Sequence, residues 1–223
     1  GELGAESREL ITYDQLPQVT IDAFLAIEDS RFFTHNGFDL PRFISSAFSN
    51  LRTGSLAQGG STLTMQTIDN FLIKPQEEKD EQAGIRYSPL EKIEHKIQEI
   101  YLSMRLDHLE SKEDILVAYL NKINFGSSMN TRGIQKAAEY YFGKDVEQLN
   151  LSESAFLAGV VNAPALYNPY KGYSKEYQTN YYKAATQRRN ETLSMMLMHG
   201  YITENEYNLA KSTKLAFQVN GEP

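Results

Sequence analysis

The chain has 223 residues, with 22 Lys+Arg against 29 Asp+Glu and a formal net charge of −7, so a broad nucleic-acid footprint is not expected on net charge. Cysteine is absent, which excludes disulfide scaffolds, thiol catalysis and cysteine-based metal sites while fitting either redox compartment. The length supports one domain or a domain with a small satellite lobe; there is no run of 18 apolar residues and no signal-peptide pattern, and the missing initiator Met favours a piece of a longer chain.

Helical patterns dominate. In "VTIDAFLAIEDSRFF" Thr20 reads as an N-cap and Ile21, Phe24, Leu25 and Phe32 recur at helical spacing. Glu28 falls on that stripe, with Asp29 about a hundred degrees round the helix. A carboxylate turned toward low dielectric has its charged form disfavoured, which suits a general base working near neutral pH; a helix that ends here with both acids solvated is the competing reading. "LPRFISSAFSNLRTGS" carries Phe43, Ile44, Phe48 and Leu51, an apolar set that serves a lipid surface or a core equally well. In "QGGSTLTMQTIDNFL" Gly59 and Gly60 free the backbone, and Ser61 or Thr62 can cap a helix bearing Leu63, Ile68, Phe71 and Leu72. Such an N-terminus attracts anions, although a capped Gly-Gly turn is also a common structural device.

Residues 74 to 89, "KPQEEKDEQAGIRYSP", have the composition of a mobile excursion. "LEKIEHKIQEIYLSMRLD" then places Ile93, Ile97, Ile100 and Met104 on one stripe, with Lys96 and Glu99 on its flank as an ion pair of the ordinary surface kind. Ser111 with Asp114 opens "KEDILVAYLNKI", Ser152 opens "ESAFLAGVV", and Thr203 with Glu206 opens "ENEYNLAK". Gly143 and Gly200 sit where left-handed C-caps belong. "KLAFQV" near the end is the one short strand candidate, so the fold class is mainly α.

In this order the blocks resemble the family 51 peptidoglycan glycosyltransferases, the transglycosylase module of class A penicillin-binding proteins and of monofunctional transglycosylases, and the resemblance covers nearly the whole chain. "AIEDSRFFTHNGFD" is similar to the family's first motif, with Glu28, Asp29, Phe32, His35, Gly37 and Asp39 at its fixed offsets. "QGGSTLTMQ" resembles the second motif, "HKIQE" the third, "ILVAYLNKINFG" the fourth and "LSESAFLAGVVNAPALYNP" the fifth; "YYFGKD", "QRRN" and "HGYIT" also fit. Several motifs in correct order carry far more weight than any one alone.

The resemblance implies one glycosyltransferase domain over residues 1–223, with a lysozyme-like helical lobe and a smaller membrane-associated jaw lobe within about 40–90. It implies that Glu28 is the base that deprotonates the 4-hydroxyl of lipid II for attack on the growing glycan chain, giving an inverted β-1,4 link and releasing undecaprenyl pyrophosphate. Glu99 matches the family's second glutamate, and Lys96 and Arg105 match basic positions of its third motif. Ser61, Thr62 and Gln66 match polar positions lining the donor side. Asp29 and His35 match first-motif positions with orienting roles, His35 being equally well a plain packing histidine.

Expected partners are therefore lipid II, the growing glycan chain and a membrane surface, with a transpeptidase module and other cell-wall synthesis proteins as candidates and no nucleic acid. The implied location is the outer face of the bacterial cytoplasmic membrane, with an N-terminal anchor helix outside this sequence. Ser45, Asp69 and His95 stand where the family usually has a basic residue, and Met65 where it commonly has Gln. A carboxylate at 69 would repel a pyrophosphate, so Arg42, Lys74, Arg86, Lys92 or a divalent cation, Mg²⁺ or Mn²⁺, are candidates to compensate. A catalytically weak scaffold relative that binds the lipid-linked substrate, and a lysozyme-like hydrolase, are the alternatives.

Overall fold

In the computed structural model the described residues are 10–53, 59–126, 131–170 and 175–218, with the side chains of residues 50, 51, 53 and 175–178, Leu51 among them, outside the description. The three- and four-residue apolar spacing folds into helices throughout: α1 (Gln18–Glu28), α2 (Leu40–Thr53), α3 (Leu63–Ile68), a π-helical turn (Asp69–Ile73), α4 (Lys74–Gln82), α5 (Pro89–Leu109), α6 (Lys112–Lys122), α7 (Ile134–Phe142), α8 (Leu151–Val160), α9 (Pro164–Tyr167), α10 (Lys175–Met198) and α11 (Glu204–Ser212). Among the described residues there is no sheet, only an isolated bridge between Asn124 and Arg132. The expectation of a mainly α chain holds.

By backbone contacts the chain divides into two compact units, residues 1–27 with 123–223, and residues 28–122. The first is built on α8 packed against α10, where Phe156, Leu157, Ala158, Val160, Leu193 and Met196 are all fully buried. Each large apolar side chain hidden this way contributes about 1.5–3 kcal/mol. Phe217 extends the core by joining Tyr141, Phe142 and Phe156 in an aromatic cluster, its ring centroid 5.0 Å from that of Phe156. "KLAFQV" is not a strand over its described part, residues 214–218; Gln218 N–H instead donates to Tyr141 O at 2.9 Å.

Arg189, buried in the same unit, donates to Ala210 O, Thr213 O and Lys211 O at 2.9, 3.0 and 3.2 Å. It therefore serves the carbonyls at the end of α11, where a cation also suits the helix dipole. Its further contact with Ser152 Oγ corrects one expectation: Ser152 lies inside α8, and the cap is Asn150, paired reciprocally with Glu153. Thr20 is likewise not a cap. It is buried against Ser154 Oγ at 2.8 Å, and α1 starts earlier because Pro17 O already accepts from Thr20 and Ile21 N–H. The box at Thr203 with Glu206 forms as expected; at Ser111 the hydroxyl accepts Asp114 N–H as a cap should, but the Asp114 carboxylate takes that hydroxyl rather than the Ser111 backbone N–H, and Gly143 and Gly200 have φ of 63° and 77°.

In the second unit, which contains the 40–90 range, α3 is the central post and packs on both α5 and α6. Its Leu63 and Ile68 are buried as expected, yet Phe71 and Leu72 are exposed. The π turn explains this: its wider winding rotates the residues after Ile68 off the α-helical face. Residues 74 to 82 are helical rather than irregular; the helix is clasped to α5 by His95 Nδ1 with Glu77 Oε1 at 2.9 Å, and the turn before α5 joins in through Tyr87 on Asp80 and the edge of Tyr87 against His95.

Candidate active site

The site is built where α1 stops. Glu28 closes the helix with 5% of its surface exposed, and Asp29 beyond it is completely buried. The helix does end here, but neither acid is solvated. Phe32, three residues on, is fully buried in the following turn rather than on a continuing helix, and this turn holds both carboxylates inward.

Asp29 organises the backbone around it. Its Oδ2 accepts the Leu63 N–H at 2.9 Å and pairs with His35 Nε2 at 2.7 Å, while Arg42 Nη1 stands 3.7 Å from Oδ1. Oδ1 itself is buried without a hydrogen bond. The carboxylate thus sits at the start of α3, where exposed N–H groups and the helix dipole favour negative charge. Asp29 and His35 are structural ties in this geometry, in keeping with the orienting roles the resemblance implied. Lys112 Nζ secures the same turn by donating to His35 O at 2.7 Å and lying over the Phe32 ring.

Thr62 is the N-cap of α3, its Oγ1 accepting from Met65 N at 3.1 Å and donating to Gly37 O at 2.7 Å. Gly37 needs its glycine twice over: φ is +88°, and a Cβ would run into the Ser103 carbonyl. Gly60 has a different use than expected. Its φ is not positive, but a Cβ would collide with Ser46 Oγ and press on Phe43 of α2, so the residue permits close approach of the loop to that helix.

Two polar groups flank α3. In one, Lys96 Nζ donates to Glu99 Oε1 and Oε2 at 2.8 and 3.0 Å and to Ser61 Oγ at 2.9 Å. Glu99 is buried, so the pair is not the surface interaction its spacing suggested. Burial raises the Glu99 pKa from its ordinary value, against which the Lys96 contact acts, with smaller raising and lowering contributions from Asp69 and Lys74. In the other group, Gln66 Nε2 donates to Glu28 Oε2 at 2.9 Å, and Tyr119 on α6 donates to Gln66 Oε1 at 3.3 Å. Gln66 therefore serves the carboxylate at 28. Tyr119 was missed in the sequence because it falls in register with Ile115, Leu116 and Leu120 as one more core residue of α6.

Helix α5 is oriented against expectation. Its buried residues are Glu99 and Ser103, while Ile93, Ile97 and Met104 are exposed; the apolar stripe has no cover among the described residues, because the helix turns its polar and small residues onto α3. Arg105 is exposed and meets Tyr101 OH at 3.3 Å, so no described contact brings it to Glu99 or Glu28. Asp69 is paired with Lys74 Nζ at 2.8 Å across the π turn, and His95 faces α4. No three His, Asp or Glu of the described residues converge as a metal-holding group. On α2, Ile44 and Phe48 are exposed while Phe43 is half-buried against Phe38, with ring centroids 5.5 Å apart.

The arrangement therefore presents a buried carboxylate oriented by an amide and, in a separate group flanking α3, a cation held by a second carboxylate. Comparison with known proteins gives these groups a context. The family model described as Transglycosylase matches residues 1–197. Penicillin-binding protein 1A/1B of Bacillus subtilis (strain 168) is 38% identical over 221 residues, spanning 99% of this chain and 21% of that protein. Penicillin-binding protein 1A of Escherichia coli (strain K12) is 36% identical over 211 residues, 95% of this chain and 22% of that protein. The crystal structure of Penicillin-Binding Protein 1A from Haemophilus influenzae superimposes with a TM-score of 0.52 at 25% identity, covering 98% of this chain and 19% of that one. The chain thus spans about a fifth of the length of these relatives.

Proposed function

We propose, from the premise that this chain belongs to the transglycosylase family of peptidoglycan glycosyltransferases, that it polymerises lipid II into β-1,4-linked glycan with inversion and release of undecaprenyl pyrophosphate. The observation that carries the assignment of roles is Glu28, a buried carboxylate whose Oε2 is engaged by Gln66 Nε2 at 2.9 Å. A base so oriented can take the proton of the acceptor's 4-hydroxyl as that oxygen attacks the donor's anomeric carbon. The bond from that carbon to the pyrophosphate oxygen breaks, and the leaving group departs as an anion. It needs charge stabilisation more than a strong acid.

Lys96 is the cation for that task. Glu99 and Ser61 fix its ammonium, so its position is set before substrate arrives, and preorganisation of this kind avoids reorganisation at the moment of reaction. Glu99 is in this reading the residue that holds Lys96, Thr62 and Asp29 fix the start of α3, and Arg105 contributes only if substrate draws it in. Asp69, neutralised by Lys74, does not present an unbalanced negative charge.

The natural site of action is the outer face of the cytoplasmic membrane, where a lipid-linked substrate resides. The exposed Leu40, Ile44 and Phe48 of α2 are the side chains that would meet lipid; Phe43, half-buried against Phe38, is not among them. No helix of the described residues is long and apolar enough to cross a membrane. A transpeptidase module elsewhere in the whole protein is in keeping with the penicillin-binding names of the relatives. The test is glycan-chain formation from labelled lipid II in detergent. Glycan cleavage in its place would make the protein a hydrolase, and substrate binding without turnover would make it a scaffold relative.

A further inference from the structure

We infer that Tyr119 is a positioning residue for the base, its hydroxyl supporting the orientation of the Gln66 amide in which Nε2 faces Glu28. The contacts are Tyr119 OH to Gln66 Oε1 at 3.3 Å and Gln66 Nε2 to Glu28 Oε2 at 2.9 Å. Here the phenol donates to the amide oxygen and leaves the amide N–H to Glu28; turning the amide over would make the hydroxyl give up that donation and accept from Nε2 instead. Tyr119 is fully buried on α6. Burial, with the charge of Glu28 adding to it, pushes its pKa far above the ordinary tyrosine value, so it stays a donor at any working pH.

The consequence concerns the proton cycle, and it rests on the reading of Glu28 as base. A donated N–H stabilises the charged carboxylate and does nothing for the protonated acid. An unrestrained glutamine could turn over once Glu28 has taken a proton, present Oε1 to the new O–H and stabilise the spent form. Tyr119, by donating to Oε1, opposes that turn and so favours the charged state, from which Glu28 is ready for the next addition.

The test uses Tyr119→Phe, Gln66→Met and the double variant, each assayed for lipid II polymerisation across pH and for the titration of the Glu28 carboxyl by carbon NMR, assigned with Glu28→Gln. Tyr119→Phe is expected to slow turnover several-fold and to move both the acid limb of the rate profile and the Glu28 titration upward by about half a unit, since a hydrogen bond to the charged form is weakened. Gln66→Met should shift both further in the same direction, and the double variant should match Gln66→Met, because a residue that acts through another adds nothing once that other is gone. An unmoved Glu28 titration in Tyr119→Phe, or effects that multiply in the double variant, would overturn the positioning role. If the titration responds as described while the wild-type chain fails to polymerise lipid II, the positioning stands and the proposed function falls.

Discussion

Helix α8 hides nine of its ten residues, Ser152 to Val160, inside the first unit, whereas α5, with 21 residues, buries among its described positions only Glu99 and Ser103 and leaves Ile93 and Ile97 in solvent. Both helices bury a glutamate, and the company it keeps differs. In α8, Glu153 closes a capping box with Asn150 and takes Lys144 Nζ at 2.7 Å, so its burial completes a helix end. In α5, Glu99 lies mid-helix and is answered by Lys96, whose side chain stays 37% exposed. A mid-helix buried acid with a half-exposed cation costs stability that apolar residues in its place would supply. Polar burial at the end of a helix reads as architecture, and polar burial in its middle, beside a reachable charge, reads as chemistry.

The contrast breaks first at Glu28. Glu28→Gln keeps shape and the Gln66 neighbour but cannot accept a proton, and loss of general-base catalysis is expected to lower polymerisation by about 10²–10⁴-fold with unchanged circular dichroism. Near wild-type turnover in the folded variant would remove Glu28 from the role of base.

Lys96→Met should cost about 10–100-fold in rate, in line with a charge-assisted contact worth about 1.5–3 kcal/mol. It also strands Glu99, whose pKa is already raised by burial, and drives it higher. A carboxyl raised in the folded state binds its proton more tightly there than when unfolded, so its contribution to stability is present at low pH and is lost as pH rises through the folded value. The melting temperature of Lys96→Met should therefore fall relative to wild type as pH rises above the ordinary glutamate value. A difference that stays constant as pH rises would show that Glu99 is not the group left behind. The equivalent change in α8, Lys144→Met, should weaken stability and leave the rate of the folded fraction alone.

Asp69→Asn comes next in size. It releases Lys74 and removes one of the charges that raise Glu99, so the rate should rise a few-fold. His95→Arg should change little because His95 faces Glu77 on α4. A larger gain from position 95 than from 69 would reverse the assignment of which residue lies near the cation.

On α2, replacing Ile44 and Phe48 by Ser is expected to weaken binding to anionic vesicles while shifting the melting temperature by less than about 2 °C, as exposed positions do. A collapse of the melting temperature instead would place both residues in a core. The smallest effect belongs to the first unit: Thr203→Ala, which removes the cap of α11, should cost about 1 kcal/mol of stability by denaturant titration, with turnover unaffected.

The sequence by itself determined the helices and most of their ends, because the rules for capping and for apolar spacing act within a few residues. Thr203 with Glu206, Ser111 with Asp114 and the left-handed Gly143 needed no distant partner. It also marked Glu28, Glu99, Lys96, Thr62 and Gln66, since their order along the chain carries the family resemblance. What it could not settle is which way a helix faces and whom a polar side chain answers. Ile93 and Ile97 pattern as a core stripe, and only the seating of α5 on α3 turns them outward and draws Glu99 in. Asp69 looked repulsive until the π turn, one extra residue of winding, brought Lys74 onto it. Tyr119 is indistinguishable in sequence from its buried neighbours on α6, and it acquires a function because tertiary packing sets its hydroxyl 3.3 Å from Gln66, 53 residues away. Spacing fixes a residue's face on its own helix; the partner across the gap depends on how separate helices dock, a long-range packing outcome that no local pattern encodes.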